Sequence, residues 1–354
     1  MSRHLPRPRP GLPLLRRGRG TIQIGVDPET AVVVDRLSDD AATALLRLDG
    51  VTGRHDVLAG APELGGVLDR LHELGLLDDD PGPGSTLSRV RRDRQRPDLA
   101  SAAIAHRSAP EAVSVLARRA RTTVALRGSD TTATHLALGL AAAGIGTVAL
   151  EGPDHEVALD DLTALGPWET GPSWREAVSE ALRRQGTHPT AGRRRRTRPA
   201  LVVISSAADG DLPWTDPELA DDLLADDVPH LAVAAAGASA RVGPLVLPGR
   251  TACLWCADRR ATELDPAWPA LTDQLRLHHP RARAVSTPLT ALCAAYAVSE
   301  VLAVVDRERA LRDPATLDAQ LELRVADPLP RVLATPPHPL CGCGWGRPAD
   351  TMAG

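Results

Sequence analysis

Four of the five cysteines in this chain come as two short-range pairs. Cys253 and Cys256 form a CxxC in VGPLVLPGRTACLWCADRR, just past a Pro-Gly turn, and Cys341 and Cys343 flank Gly342 in HPLCGCGW. Two chelating pairs are what an all-cysteine tetrahedral zinc site requires. Each pair spans two corners, and a turn or glycine backbone lets both sulfurs face inward. A structural zinc held this way pins residues near 342 to the middle of the sequence and so constrains everything between. The residues alone leave other readings open. A lone CxxC beside Trp255 also suits a thioredoxin-like dithiol, though that chemistry has no use for a second pair. Free cysteines are ordinary core residues, which is how Cys293 reads inside the apolar TALCAAYAV. His338 is a candidate substitute ligand.

With 354 residues the chain can hold two domains, or one large domain with an appendage. Hydrophobic residues make up 43% and aromatics 2%, so the core must be Leu, Val and Ala. No lysine occurs, which excludes any mechanism needing an ammonium on a phosphate. A net charge of -4 gives no reason to expect nucleic-acid binding. MSRHLPRPRP lacks the apolar core of a signal peptide, and LALGLAAAGIGTVAL is too short and glycine-broken to span a membrane. The expectation is a cytoplasmic protein without a membrane anchor, where reducing conditions suit thiolate ligands.

Along the chain, residues 1–15 are Arg- and Pro-rich and read as a disordered arm. Residues 16–77 read as a small α+β module. TIQIGVDPETAVVVDRL is strand, Asp-Pro turn, strand; Ser38 caps a helix closing at Gly50; a short helix covers 54–58; and Leu64, Leu68, Leu71 and Leu74 mark a third helix. This is the outline of a winged-helix-like unit. Residues 78–98, opening with DDDPGPGST, read as a linker. From 99 to 354 strands and helices alternate: RTTVALRG, DTTATHLALGLAAAG, TVALEG, SWREAVSEALRR, ALVVISS, PELADDLLADD and HLAVAAA. That alternation predicts an α/β domain with a doubly wound parallel sheet. GRRRRTR lies in a loop, solvated or facing phosphate. Beyond the CxxC come a loop with Trp268, an Ala-rich helix over 285–305 and a β-rich tail.

In a Rossmann-type nucleotide site the first strand ends in a glycine-rich turn whose amides cradle phosphate, and an acid ending the second strand takes the ribose. Here the first strand ends in Gly128-Ser129-Asp130-Thr131-Thr132-Ala133. Only Gly128 and Ala133 keep the spacing. Asp130 stands where the backbone must approach phosphate, and a carboxylate there adds bulk and repels the anion. Glu151, ending the second strand, is either the ribose acid or a solvated strand-end residue.

A Rossmann half, a Pro-Gly turn, a CxxC and a distant second pair resemble the ThiF/MoeB class, the ubiquitin-activating-like enzymes that adenylate a C-terminal carboxylate. VGPLVLPGRTACLWCADRRATELDPAWPALTDQL with PPHPLCGCGW is similar to the actinobacterial ThiF-like partners of YcaO cyclodehydratases in azole-forming peptide biosynthesis. The resemblance covers almost the whole chain. It implies zinc on Cys253, Cys256, Cys341 and Cys343, ATP with magnesium near Gly128 and Glu151, an acid at Asp161, a homodimer, and an N-terminal module that recognises a leader peptide. The class also uses an Arg, a Lys or Gln and a magnesium-holding aspartate; no lysine exists here, no D-x-x-N-x-x-R-Q follows Asp161, and Asp209 is the remaining magnesium candidate. Three readings follow. One is a catalytically degenerate scaffold that binds a peptide and a YcaO-type partner enzyme. The second is a working adenylyltransferase using arginines, and the third a dinucleotide-dependent oxidoreductase, for which a zinc hook is unneeded.

Overall fold

The computed structural model describes residues 6–28, 30–79, 87–157, 161–166, 173–191, 198–206, 217–277 and 285–344. The chain forms two compact units, Met1–Ala117 and Arg118–Gly354. In the first, strands β1 (Pro6–Pro8), β2 (Leu14–Gly18), β3 (Thr21–Ile24) and β4 (Val32–Val34) precede helices α1 (Asp39–Leu46), α2 (Arg54–Gly60) and α3 (Leu64–Glu73). Strand β5 (Leu77–Asp79) and helices α4 (Arg89–Arg94), α5 (Arg96–Ala105) and α6 (Ala109–Arg119) follow. β2, β3 and β4 make a three-stranded antiparallel sheet. The period-2 pattern sends Ile22 and Ile24 inward against Leu45, Leu64, Leu68 and Leu71. Ser38 caps α1 by accepting from the Ala41 amide at 3.1 Å.

Two stretches differ from the sequence reading. The arm read over 1–15 contains β1, paired antiparallel with β5, and the start of β2. Pairing explains it: a three-residue Pro-Arg-Pro segment has no local preference for a strand and acquires one from the backbone of β5. The linker read over 78–98 carries α4 and the beginning of α5, because Ser88 supplies a cap, accepting from the Arg91 amide at 3.3 Å.

The second unit holds β6 (Thr123–Arg127), α7 (Thr131–Ala142), β7 (Thr147–Leu150), α8 (Trp174–Arg184), β8 (His188–Ala191), β9 (Leu201–Ser206), α9 (Pro217–Ala225), β10 (His230–Ala236) and β11 (Ser239–Val246). Helices α10 (Leu254–Leu264), α11 (Trp268–Leu277) and α12 (Thr287–Asp306) and strands β12 (Ala319–Arg324) and β13 (Asp327–Ala334) complete it. One sheet runs β13-β12-β11-β10-β9-β6-β7-β8. The segment from β8 to β10 is parallel, and β11, β12 and β13 add on antiparallel. Alternate residues of the parallel strands are buried on both faces. Val124, Leu126, Leu201 and Val203 meet α7, α8 and α12; Ala125, Val202 and Ile204 meet α9 and the cysteine segment. The stretch read as a loop around Trp268 is α11, the indole donating to Asp258 at 3.0 Å. By length and composition α12 could cross a membrane, which the sequence reading did not recognise. Here it packs on β10, β11 and α7 as a core helix.

A buried ion pair inside the second unit joins Arg119, which leads into β6, to Asp306 at the end of α12. Arg119 reaches both Asp306 oxygens, at 3.0 and 2.7 Å, and the Ala143 carbonyl at 3.4 Å. Removing one partner strands a buried charge, so Asp306→Ala should lower the unfolding free energy by about 3–5 kcal/mol in urea titration, whereas Arg119→Leu/Asp306→Leu should recover part of the loss. A second test concerns His230, fully buried at the start of β10, with Nδ1 2.9 Å from the Val228 carbonyl and Nε2 without a hydrogen-bond partner among the described residues. Burial holds its pKa down to about 4. Unfolded histidine titrates near ~6.5, so between these values the unfolded chain binds the extra proton and stability is lost as the pH is lowered, by up to ~3 kcal/mol. His230→Leu should flatten that part of the stability–pH curve.

Candidate metal centre and strand-end crevice

Cys253 and Cys256 stand one turn apart at the start of α10. The turn between β11 and α10 is fixed by Thr251, whose hydroxyl accepts from the Leu247 amide at 2.8 Å and donates to the Leu245 carbonyl at 3.1 Å. The Ala252 amide donates to the Asp318 carboxylate at 2.5 Å. Past β13 the chain returns: the Cys341 amide donates to the His338 carbonyl at 2.9 Å, and a tight helical turn over Gly342–Gly344 turns Cys343 inward. All four Sγ atoms lie within 4.8 Å of one another, with pair distances of 3.8 Å (253–256), 3.5 Å (253–341) and 3.4 Å (256–343). Zinc–sulfur bonds of about 2.3 Å give a tetrahedron edge of about 3.8 Å, so the cluster fits that ion with little movement. The cysteines are unbridged, and all but Cys343 are buried.

The electrostatics point the same way. Cys253 donates to Cys256, and the His338 amide donates to the same Cys256 sulfur at 3.3 Å. These bonds hold Cys256 well below the usual thiol range, and the first pushes Cys253 well above it. A divalent cation removes that conflict by stabilising all four thiolates. His338 is not a ligand in this arrangement. Its Nδ1 accepts from the Leu340 amide at 3.1 Å, leaving Nε2–H for Glu263 at 2.9 Å.

The other sequence-predicted residues gather at the C-terminal ends of β6, β7 and β9. The strand order reverses between β6 and β9, where open α/β sheets place their ligand crevice. Gly128 has φ 130°, and a Cβ there would collide with the Ser205 carbonyl; a Cβ on Gly152 would strike the Gly128 backbone. The three strand ends are thus in backbone contact. Asp130 caps α7, accepting from the Ala133 amide at 2.7 Å, and the Ser205 hydroxyl donates to both its oxygens at 3.0 and 3.1 Å. Ser129 is half-buried between them. Glu151, one strand over, is neither free nor solvated: Arg127 Nε donates to it at 3.0 Å. Asp161 is buried and 3.1 Å from His155 Nε2, and the His155 ring stacks on Trp174, whose indole donates to Thr134 at 2.8 Å. Cys293 sits in the core, where burial first and the Asp130 charge second push its thiol well up, so it is no thiolate nucleophile.

Sequence reasoning thus located Gly128 and Asp130 but missed what engages them. Ser205 was findable, because it lies at the end of a parallel strand next to the switch point. Arg127 and His155 carried no separable signal. Asp209 and most of the arginine run, 192–197, lie outside the described residues.

The sheet and the cysteine hook define an α/β protein with a mostly parallel, Rossmann-like sheet, and a small module built on an antiparallel sheet precedes it in the chain. In line with this, the solved structures similar to it include E. coli MccB bound to ATP, at 16% identity over 96% of this chain and 99% of that one, with a TM-score of 0.63. The microcin C7 biosynthetic enzyme MccB in complex with N-formylated MccA matches at 15% identity with the same coverage and a TM-score of 0.63. PaaA matches at 18% identity over 92% of this chain and 99% of that one, with a TM-score of 0.67. At these identities what is shared is the fold. No protein-family model matches the chain, and no curated protein sequence does.

The cluster makes a direct prediction. The purified chain should contain one zinc per molecule by elemental analysis, Cys256→Ser should lose it, and chelation should lower the thermal midpoint by roughly 10 °C.

Proposed function

We propose that this chain is a ThiF-type scaffold in ribosomal peptide modification, holding a peptide and presenting it to a separate catalytic partner, with its own nucleotide site out of use. The observation that carries this reading is Asp130. Its carboxylate already occupies the N-terminus of α7, where a phosphate would bind, and takes the Ala133 amide and the Ser205 hydroxyl. A negative group there repels a second anion, and no lysine is present to offset it. Glu151 is similarly engaged by Arg127, so a ribose would have to displace an ion pair.

A peptide as ligand is supported by the fold shared with MccB, which has been solved with its peptide MccA. It is supported too by the first unit, where β2 and β4 each pair only with β3 among the described residues and so leave sheet edges for an extended peptide. A leader peptide fits that edge; a YcaO-type enzyme fits as the partner, within a cytoplasmic homodimer bearing a structural zinc. The competing reading, an adenylyltransferase that activates a peptide carboxylate with ATP and magnesium, draws on the MccB complex with ATP. Calorimetry on zinc-replete protein separates the two. We expect no binding of magnesium-ATP down to the millimolar range (about 4 kcal/mol of binding free energy or less) and no carboxylate-dependent exchange of pyrophosphate into ATP. Micromolar binding lost in Glu151→Ala, together with exchange, would instead establish the adenylyltransferase.

A further inference from the structure

The opposite end of the same sheet carries a second candidate site. A cavity of about 720 Å³ opens where β6, β9 and β10 begin, beneath the last turn of α12. β6 has five residues at about 3.3 Å each, so this cavity and the Gly128 turn stand roughly 16 Å apart along the strand. Arg118, Arg121, Arg250 and Arg307 line it, and among the described residues Asp313 is the only carboxylate that does. None of the four guanidiniums makes a hydrogen bond or ion pair within the described structure. Nearby arginines of the same unit are engaged: Arg119 holds Asp306, Arg241 holds Glu322, and Arg312 holds Glu300. Arg307 also sits at φ 55°, a region that favours glycine, so an arginine persists there against backbone preference. Between the charges the wall is aliphatic, with Leu247, Val304 and Leu317, and among the described residues no aromatic ring lines it.

We infer that this cavity binds an acidic, aliphatic peptide segment, its carboxylates held by the four arginines and its apolar side chains set against Leu247, Val304 and Leu317. Guanidinium forks match carboxylates bidentately, and the volume is that of a cavity enclosing a ligand of a few residues. With no aromatic ring among the described lining residues to stack a base, a nucleotide is the poorer fit. The assignment stands apart from the scaffold reading, since neither Asp130 nor Glu151 lines the cavity.

The test uses the full chain, checked for zinc content and circular dichroism. It is titrated into a short fluorescein-labelled peptide of alternating Glu and Leu, and into the same peptide with Gln for Glu. Saturable binding of the Glu peptide alone is expected. Arg121→Glu/Arg250→Glu, both exposed positions, should weaken it about ten-fold or more. Ala303→Trp should weaken it too, filling the wall without changing charge. No saturable binding by the unmodified chain, equal binding of the Gln peptide, or unchanged affinity in the double variant would each overturn the proposal. So would complete displacement by inorganic phosphate with Ala303→Trp indifferent, which marks a plain anion site.

Discussion

The convergence of four sulfurs is the constraint on which the second unit depends. Cys253 and Cys341 are 88 residues apart in sequence and 3.5 Å apart in space. Between them run α10, α11, α12, β12 and β13, which supply the antiparallel wing of the sheet and its longest covering helix. Closing so long a loop costs chain entropy that grows only slowly with length, so a metal–thiolate cluster can offset it. The hook is also part of the core, since Cys253, Cys256 and Cys341 pack with Ile204, Leu219 and Leu223 on the face opposite α12. Asp318, just before β12, fixes the Ala252 amide and couples the metal loop to the strand beside it.

At the strand-end crevice one carboxylate serves two ends that conflict. Asp130 as a cap is worth about 1 kcal/mol to α7, and the Ser205 hydroxyl braces it across the switch point. The same placement fills the electropositive helix terminus on which phosphate binding relies. A fold whose relatives in shape include an ATP-bound enzyme is therefore compatible with a site that satisfies itself. Function belongs to the side chains at the site, and the sheet that carries them is indifferent to the outcome.

Much of the architecture was legible because the signals were local. The alternation from β6 to β10 showed in the apolar runs, and the four-cysteine cluster showed in cysteine spacing alone. What escaped was decided at a distance. β8 is four residues, His-Pro-Thr-Ala, and becomes a strand by pairing with β7 at the sheet edge. α11 begins Trp-Pro and looked like a loop until the indole bond to Asp258 held it. β1 depends on β5, about 70 residues onward. Asp130 stands out in the sequence at the second-glycine position of the loop, but its partner Ser205 is 75 residues away and no window around Gly128 contains it.

The absence of lysine has a consequence for the fold itself. Its principal ion pairs, Arg119 with Asp306, Arg127 with Glu151, Arg241 and Arg324 with Glu322, and Arg312 with Glu300, all have guanidinium as the cation. A guanidinium keeps its proton throughout the range in which proteins are handled, whereas an ammonium surrenders it in strong base. Raising the pH therefore leaves the cation of each of these pairs in place, and as far as those pairs are concerned the fold is built to tolerate alkali.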